Sequence, residues 1–167
     1  MEKVDRLSPD LPFNGPLETG MRAVLNLHAC FPKLLDIQRL TALDYLIVRT
    51  SVLNGPPDLH PATPIVSPVT QVRRQSVQAA LRLMISRELV QQVATERGIF
   101  YRAGESAKFF ADALQSSYIQ QLMNRAKWLA KYSDQLDDQE FDNRMNQILE
   151  HWVSEFQDES GSAGSFL

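Results

Sequence analysis

The chain is poor in the residues that most chemistry needs. It has one cysteine, Cys30, in 167 residues. A lone cysteine cannot close an internal disulfide and cannot share a zinc ion with a second thiolate. Its 3 histidines, His28, His60 and His151, are far apart, and none lies one helical turn from another histidine. A helix-borne metal site is therefore not indicated. No apolar run approaches the ~18 residues that cross a bilayer. The most apolar stretch, Leu40 to Leu53, is broken by Asp44 and Arg49. The N-terminal MEKVDRLSPD lacks the apolar centre of a secretory signal. GxxxxGK[ST], GxGxxG and GxSxG are all missing. These features together predict a cytoplasmic, reduced, soluble protein that is not an enzyme and carries no cofactor or metal.

Charge, by contrast, is unevenly placed. The net charge is −3, yet Arg73 to Lys108 holds seven basic and three acidic residues, while Asp134 to Glu159 holds nine acidic residues and one basic. A basic middle can meet phosphate and an acidic end repels it. Equally, both can be ordinary solvated faces.

Periodicity predicts a mainly α fold with a small β-hairpin wing. Residues 1–15 read as an irregular lead-in, with Pro9, Pro12 and the turn pair Asn14-Gly15. Pro16 suits a first helical turn. Leu17, Met21, Val24, Leu25 and His28 then form one stripe. Phe31-Pro32 ends that helix, and Asp36 caps the next, whose stripe is Ile37, Leu40, Leu43 and Ile47. Residues 54–70 contain five prolines and read as a loop rather than a helix. A helix from Gln71 follows, with Val77, Ala80, Leu81 and Met84 as its core stripe and Glu88 on the same side. Gln71, Gln75, Gln78, Arg82 and Ser86 face away. Leu89–Val93 and Ile99–Arg102 alternate as strands about a Glu96-Arg97-Gly98 turn.

A long helix feeding a hairpin is the second half of a winged helix. The expected organisation is a winged-helix domain over 16–104, with the proline-rich insertion at 54–70. A helical extension over 105–157 and a disordered tail over 158–167 complete it. In the extension, Glu105 or Ser106 opens a helix containing Phe109, Phe110, Ala113 and Leu114. Ser117 caps a second with stripe Ile119, Leu122, Ala126 and Leu129. Asp137 and Glu140 form a capping box for a third, with stripe Phe141, Met145, Ile148, Leu149, Trp152 and Phe156.

Winged helices bind duplex DNA or partner proteins. For DNA, the candidate contacts are Arg73, Arg74, Gln78 and Arg82 on the groove-facing helix, and Arg97, Arg102 and Lys108 on the wing and its exit. For partners, the candidates are Leu59, His60 and Ile65 in the proline loop, Leu83 and Ile85, and Trp152 and Phe156. The neutral outer helix face and the acidic balance favour partners over base reading. Two readings remain beside this one. The chain can be a stand-alone winged-helix transcription regulator, or an enzyme using a His60–Asp58 pair.

The order of NGPLE, LDYL, PPDLHP, the RR of Arg73-Arg74 and the closing GIFYRAG resembles the middle component of ABC-three-component systems, roughly over residues 13–156. Within that family the likeness is to the LmuC-like accessory subunit of Lamassu-type antiphage defence. The resemblance implies a non-enzymatic accessory subunit working with an SMC/Rad50-like ABC ATPase and an effector, commonly a nuclease. It implies a bridging role, with double-stranded DNA touched indirectly if at all and no membrane partner. The ATP and nuclease sites would then lie on the partners.

Overall fold

The computed structural model describes residues 15–61 and 71–162, with side chains as far as His151. The expected lead-in and the candidate Ile65 lie outside these residues. The described chain is mainly helical, with one two-stranded antiparallel sheet.

Helix α1, Pro16–Cys30, opens with Pro16 in its first turn. It is far more deeply buried than one stripe predicts, because Thr19, Gly20 and every residue from Arg22 to Leu27 are enclosed. Leu17, expected in the core, is instead half exposed. The reason is tertiary: α1 is the central element, touched by helices on several sides and by the sheet. Next, Leu35 makes a short antiparallel bridge to Tyr101, with N–H···O distances of 2.9 and 2.8 Å. Asp36 then caps α2, Ile37–Leu46, by accepting the Arg39 N–H at 2.7 Å. A single 3-10 turn, Thr50–Leu53, leads into the proline segment.

Helix α3, Gln71–Ser86, starts where periodicity placed it and buries Val77, Ala80, Leu81 and Met84. Glu88 is not part of it, since the helix ends at Ser86 and Glu88 takes a positive φ of 62°. The hairpin is longer than the alternating pattern suggests: β1 is Val90–Thr95 and β2 is Gly98–Ala103. The turn is therefore Glu96-Arg97 alone. Gly98 belongs to β2, at a φ of 123° that only glycine adopts freely. Thr95 Oγ1 accepts the Arg97 N–H at 3.1 Å and donates to the Gly98 carbonyl at 3.0 Å, which tightens this turn.

Helix α4, Ala107–Ala113, buries Ala107 and Ala111 rather than its phenylalanines. Phe109 is 77% exposed. Helix α5, Ser117–Asp134, is capped by Ser116, not Ser117, through the Ile119 N–H at 3.2 Å. Its stripe of Ile119, Leu122, Ala126 and Leu129 is buried as read. Helix α6, Asp138–Ser162, opens with the Asp137–Glu140 capping box, whose reciprocal bonds are 2.8 and 2.9 Å. It runs past the 157/158 boundary assigned to a tail.

One hydrophobic cluster runs from Ala23 to Met145 and includes residues of α1, α2, α3, α5 and α6. Helix α5 packs directly on α1. The core thus continues across the 104/105 boundary, and the extension supplies part of the wall around α1.

Candidate functional site

The most chemically concentrated part of the molecule is a buried polar junction where α1, α2 and α3 meet. Asp44 of α2 is 3% exposed, in the middle of an apolar helix. It receives Arg22 Nε of α1 at 2.7 Å and Arg73 Nη1 of α3 at 2.8 Å. Arg22 also donates to Thr19 Oγ1 at 3.2 Å. Arg49 and Arg73 lie 5.7 and 5.5 Å from the centre of the Tyr45 ring, close enough for cation–π attraction. Burial pushes the Tyr45 hydroxyl up to about 12, against the pull of Arg49 and Arg73. One carboxylate thus ties three helices together. A buried charge is tolerated only with such partners.

The described part of the proline segment, residues 54–61, closes on α5 beside this junction. Leu59 N–H bonds the Val48 carbonyl at 3.0 Å. Asp58 accepts the Ser51 N–H at 3.0 Å, and Arg125 of α5 holds the Pro57 carbonyl at 3.0 Å. A Cβ on Gly55 would sit 2.5 Å from the Trp128 ring and 2.9 Å from the Thr50 carbonyl, so only glycine lets the loop approach this closely. His60 Nε2 meets the Tyr118 hydroxyl at 2.6 Å, with the rings nearly parallel. Burial lowers the His60 pKa and raises that of Tyr118.

The candidate DNA residues do not share one surface role. Arg73 points inward to Asp44. Arg74 and Gln78 are half-buried, while Arg82 is exposed. Arg102 is half-buried and donates to Gln91 across the hairpin at 2.8 Å. Arg97 at the turn and Lys108 on α4 are exposed. Arg97 also lines a cleft of 380 Å³ with Arg39, Phe100, Asp138 and Asp142, so acidic side chains stand near the wing tip.

The candidate partner residues divide similarly. Leu59, Leu83 and Ile85 are half-buried against this chain's own core. His60 is engaged with Tyr118. The side chains of Trp152 and Phe156, like all of Ile65, lie outside the described residues. Asp58 accepts from the Ser51 N–H and His60 meets the Tyr118 hydroxyl, so each side chain staples the loop. Cys30 has its thiol pKa raised by burial, which keeps it protonated. Among the described residues, no three His, Cys, Asp or Glu side chains converge as a metal site.

Sequence reasoning missed Arg22, Asp44, Tyr45, Arg49 and Tyr118. A signal existed for two of them. Asp44 and Arg49 interrupt the most apolar run of the chain, and a charge there needs a buried partner. Arg73 also lies one helical turn before Val77, on the core stripe itself. Exposed apolar side chains supply another feature that was overlooked: Phe109, Val72 at 73%, Phe31 at 62% and Ile99 at 45%. In the described residues no helix is long and apolar enough to cross a membrane.

No curated protein and no solved structure matches the chain. A family model does: ABC-three component (ABC-3C) system Middle Component 2 matches residues 12–155. Because that match spans most of the sequence, the chain belongs to the Middle Component 2 family, the components that accompany the other members of an ABC-three component system.

Proposed function

We propose that this chain is a non-enzymatic bridging subunit that links an SMC/Rad50-like ABC ATPase to its effector in a Lamassu-type antiphage or anti-plasmid complex. On this reading the stretch from α1 to β2 is a winged helix. What supports it is the order of elements: α1, an extended Leu35, α2, α3 and then a hairpin whose second strand bridges back to Leu35. The ATPase and nuclease sites belong to the partners. The effector is most simply a nuclease, and DNA is sensed chiefly by the assembled complex.

The single observation that carries the docking reading is the outward side of α3. In a winged helix that reads bases, this side enters the major groove. Here its exposed residues are Gln71, Val72, Gln75, Ser76, Arg82 and Ser86, one cation among neutral side chains, while Arg73 is turned to the core. A face this poor in charge suits a protein surface better than a phosphate backbone.

Co-expression with a coiled-coil ABC ATPase of the same ABC-three component system tests the proposal. The two proteins should elute together at physiological salt, and Val72→Glu with Phe109→Glu should weaken that co-elution. Separate elution of the unmodified proteins overturns the bridging role. Tight, sequence-selective duplex binding by the isolated chain, with a steep salt dependence, would instead make it a stand-alone regulator.

A further inference from the structure

The sheet has an open edge. Among the described residues β1 pairs with β2 alone, and β2 closes its own far side on Leu35. The register runs from Val90↔Ala103 to Thr95↔Gly98 without a bulge. Gly104 donates to the Leu89 carbonyl, and Tyr101 exchanges bonds with Leu35 on the opposite side of β2. The alternation of an antiparallel ladder then fixes which groups face which way. Gln91, Val93 and Thr95 bond β2, whereas Gln92 and Ala94 direct their N–H and C=O groups outward. Both of these residues are exposed.

Within β1 itself this edge carries no lysine, proline or bulge. Natural edge strands carry a lysine, a proline or a bulge that blocks further pairing. The segment Val90–Thr95 reads VQQVAT and has none of them. The Val93–Phe100 cross-strand pair remains only half-buried.

We infer that β1 pairs with β1 of a second copy of this chain, antiparallel about a two-fold axis at Val93, to give a four-stranded sheet. In that register Gln92 faces Ala94 of the second copy, and all the edge-facing groups of both residues are satisfied. Val93 meets Val93 across the axis. Phe100, Val93 and their two symmetry mates then form one apolar row across four strands. Gln91 faces Thr95. Glu96 and Arg97 fall opposite Val90 and Leu89, so no like charges oppose each other. The segment is therefore complementary to itself in hydrogen bonding, apolar contact and charge. An isologous contact of this kind closes on itself and stops at a dimer.

The inference stands apart from the bridging role, because its test needs only the purified chain. Sedimentation equilibrium should show a dimer. Ala94→Pro removes an edge-facing N–H from each copy while leaving the bonds to β2 in place. It should weaken dimerisation about 30-fold, the effect of two hydrogen bonds at about 1 kcal/mol each. Val93→Lys and Val93→Glu should each be monomeric, and an equimolar mixture of the two should recover the dimer. Circular dichroism checks that each variant stays folded. A wild-type chain that remains monomeric up to millimolar concentration overturns the inference, and so does a dimer that Ala94→Pro leaves unchanged.

Discussion

Two sets of ion pairs hold this molecule, and they differ in depth rather than in chemistry. At the α1–α2–α3 junction the side chains of Arg22 and Asp44 are each 4% exposed. At the rim Lys33 pairs with Asp134, and Arg39 pairs with Asp138 at 3.0 Å, yet the Asp134 and Asp138 side chains are 60% and 91% exposed. Water screens the rim pairs, so forming or losing one changes little. At the junction there is no water to take over when a partner is lost. The difference teaches which arginines are free to recognise something. Arg73 is committed to holding α3 in place, while Arg82 and Arg97 reach solvent.

The sharpest break of this comparison is Asp44→Ala. It leaves the Arg22 and Arg73 guanidinium groups without their shared carboxylate in a buried site. Unfolding stability should fall by about 3–5 kcal/mol, as for other buried pairs stripped of one member, read as a shift in the urea midpoint at constant slope. Arg73→Ala removes the less buried of the two arginines and should cost less, about 1.5–3 kcal/mol for a hydrogen bond to a charged group. If either variant loses duplex affinity while keeping wild-type stability, Arg73 is a DNA contact after all and the division between the two regions fails.

Next in size is the effect of acid on the loop staple. Burial lowers the His60 pKa below its ordinary 6.5, so the folded state favours the neutral ring. The unfolded chain then binds a proton first as pH falls through 6.5. Stability from this group is present above that pH and is lost on acidification until the folded-state pKa is also passed. The thermal midpoint of the wild type should therefore fall between pH 7.5 and 5.5 by more than that of His60→Gln. Equal slopes would show that the ring next to Tyr118 is as well solvated as the rim pairs.

Much of this architecture was legible in the sequence because local rules decided it. Asp36, Pro16 and the Asp137–Glu140 box fixed helix starts, and single-stripe helices such as α3 and α5 followed their apolar period. The misses share one physical cause. Periodicity assumes that a helix has one buried face, and α1 is surrounded, so its polar residues Arg22 and Asn26 are buried too. Arg22 found partners, whereas the Asn26 amide has none among the described residues. Helix α4 is the opposite case, since its small alanines are gripped and Phe109 is left outside. The surface roles of the arginines were the least legible, because a basic residue at the start of α3 looks the same whether it meets phosphate or Asp44. Family membership came from the order of segments along the chain, and no single site residue announced it.

The smallest expected effect tests the rim. Lys33→Ala and Asp134→Ala should each change stability by less than about 1 kcal/mol, and the double variant should differ from the sum of the singles by only a few tenths. Arg39 is the informative exception on this side. Its guanidinium lies 3.6 Å from the centre of the buried Phe141 ring, and its side chain is only 15% exposed. Removing Asp138 should therefore cost little, while Arg39→Ala should cost more, through lost packing on Phe141 rather than through the ion pair. Raising salt separates the two terms, because screening erases a surface pair but not a stacked cation. An Arg39→Ala penalty that disappears in 1 M salt would return Arg39 to the rim and leave the junction, among the described residues, as the place where buried charge holds the helices together.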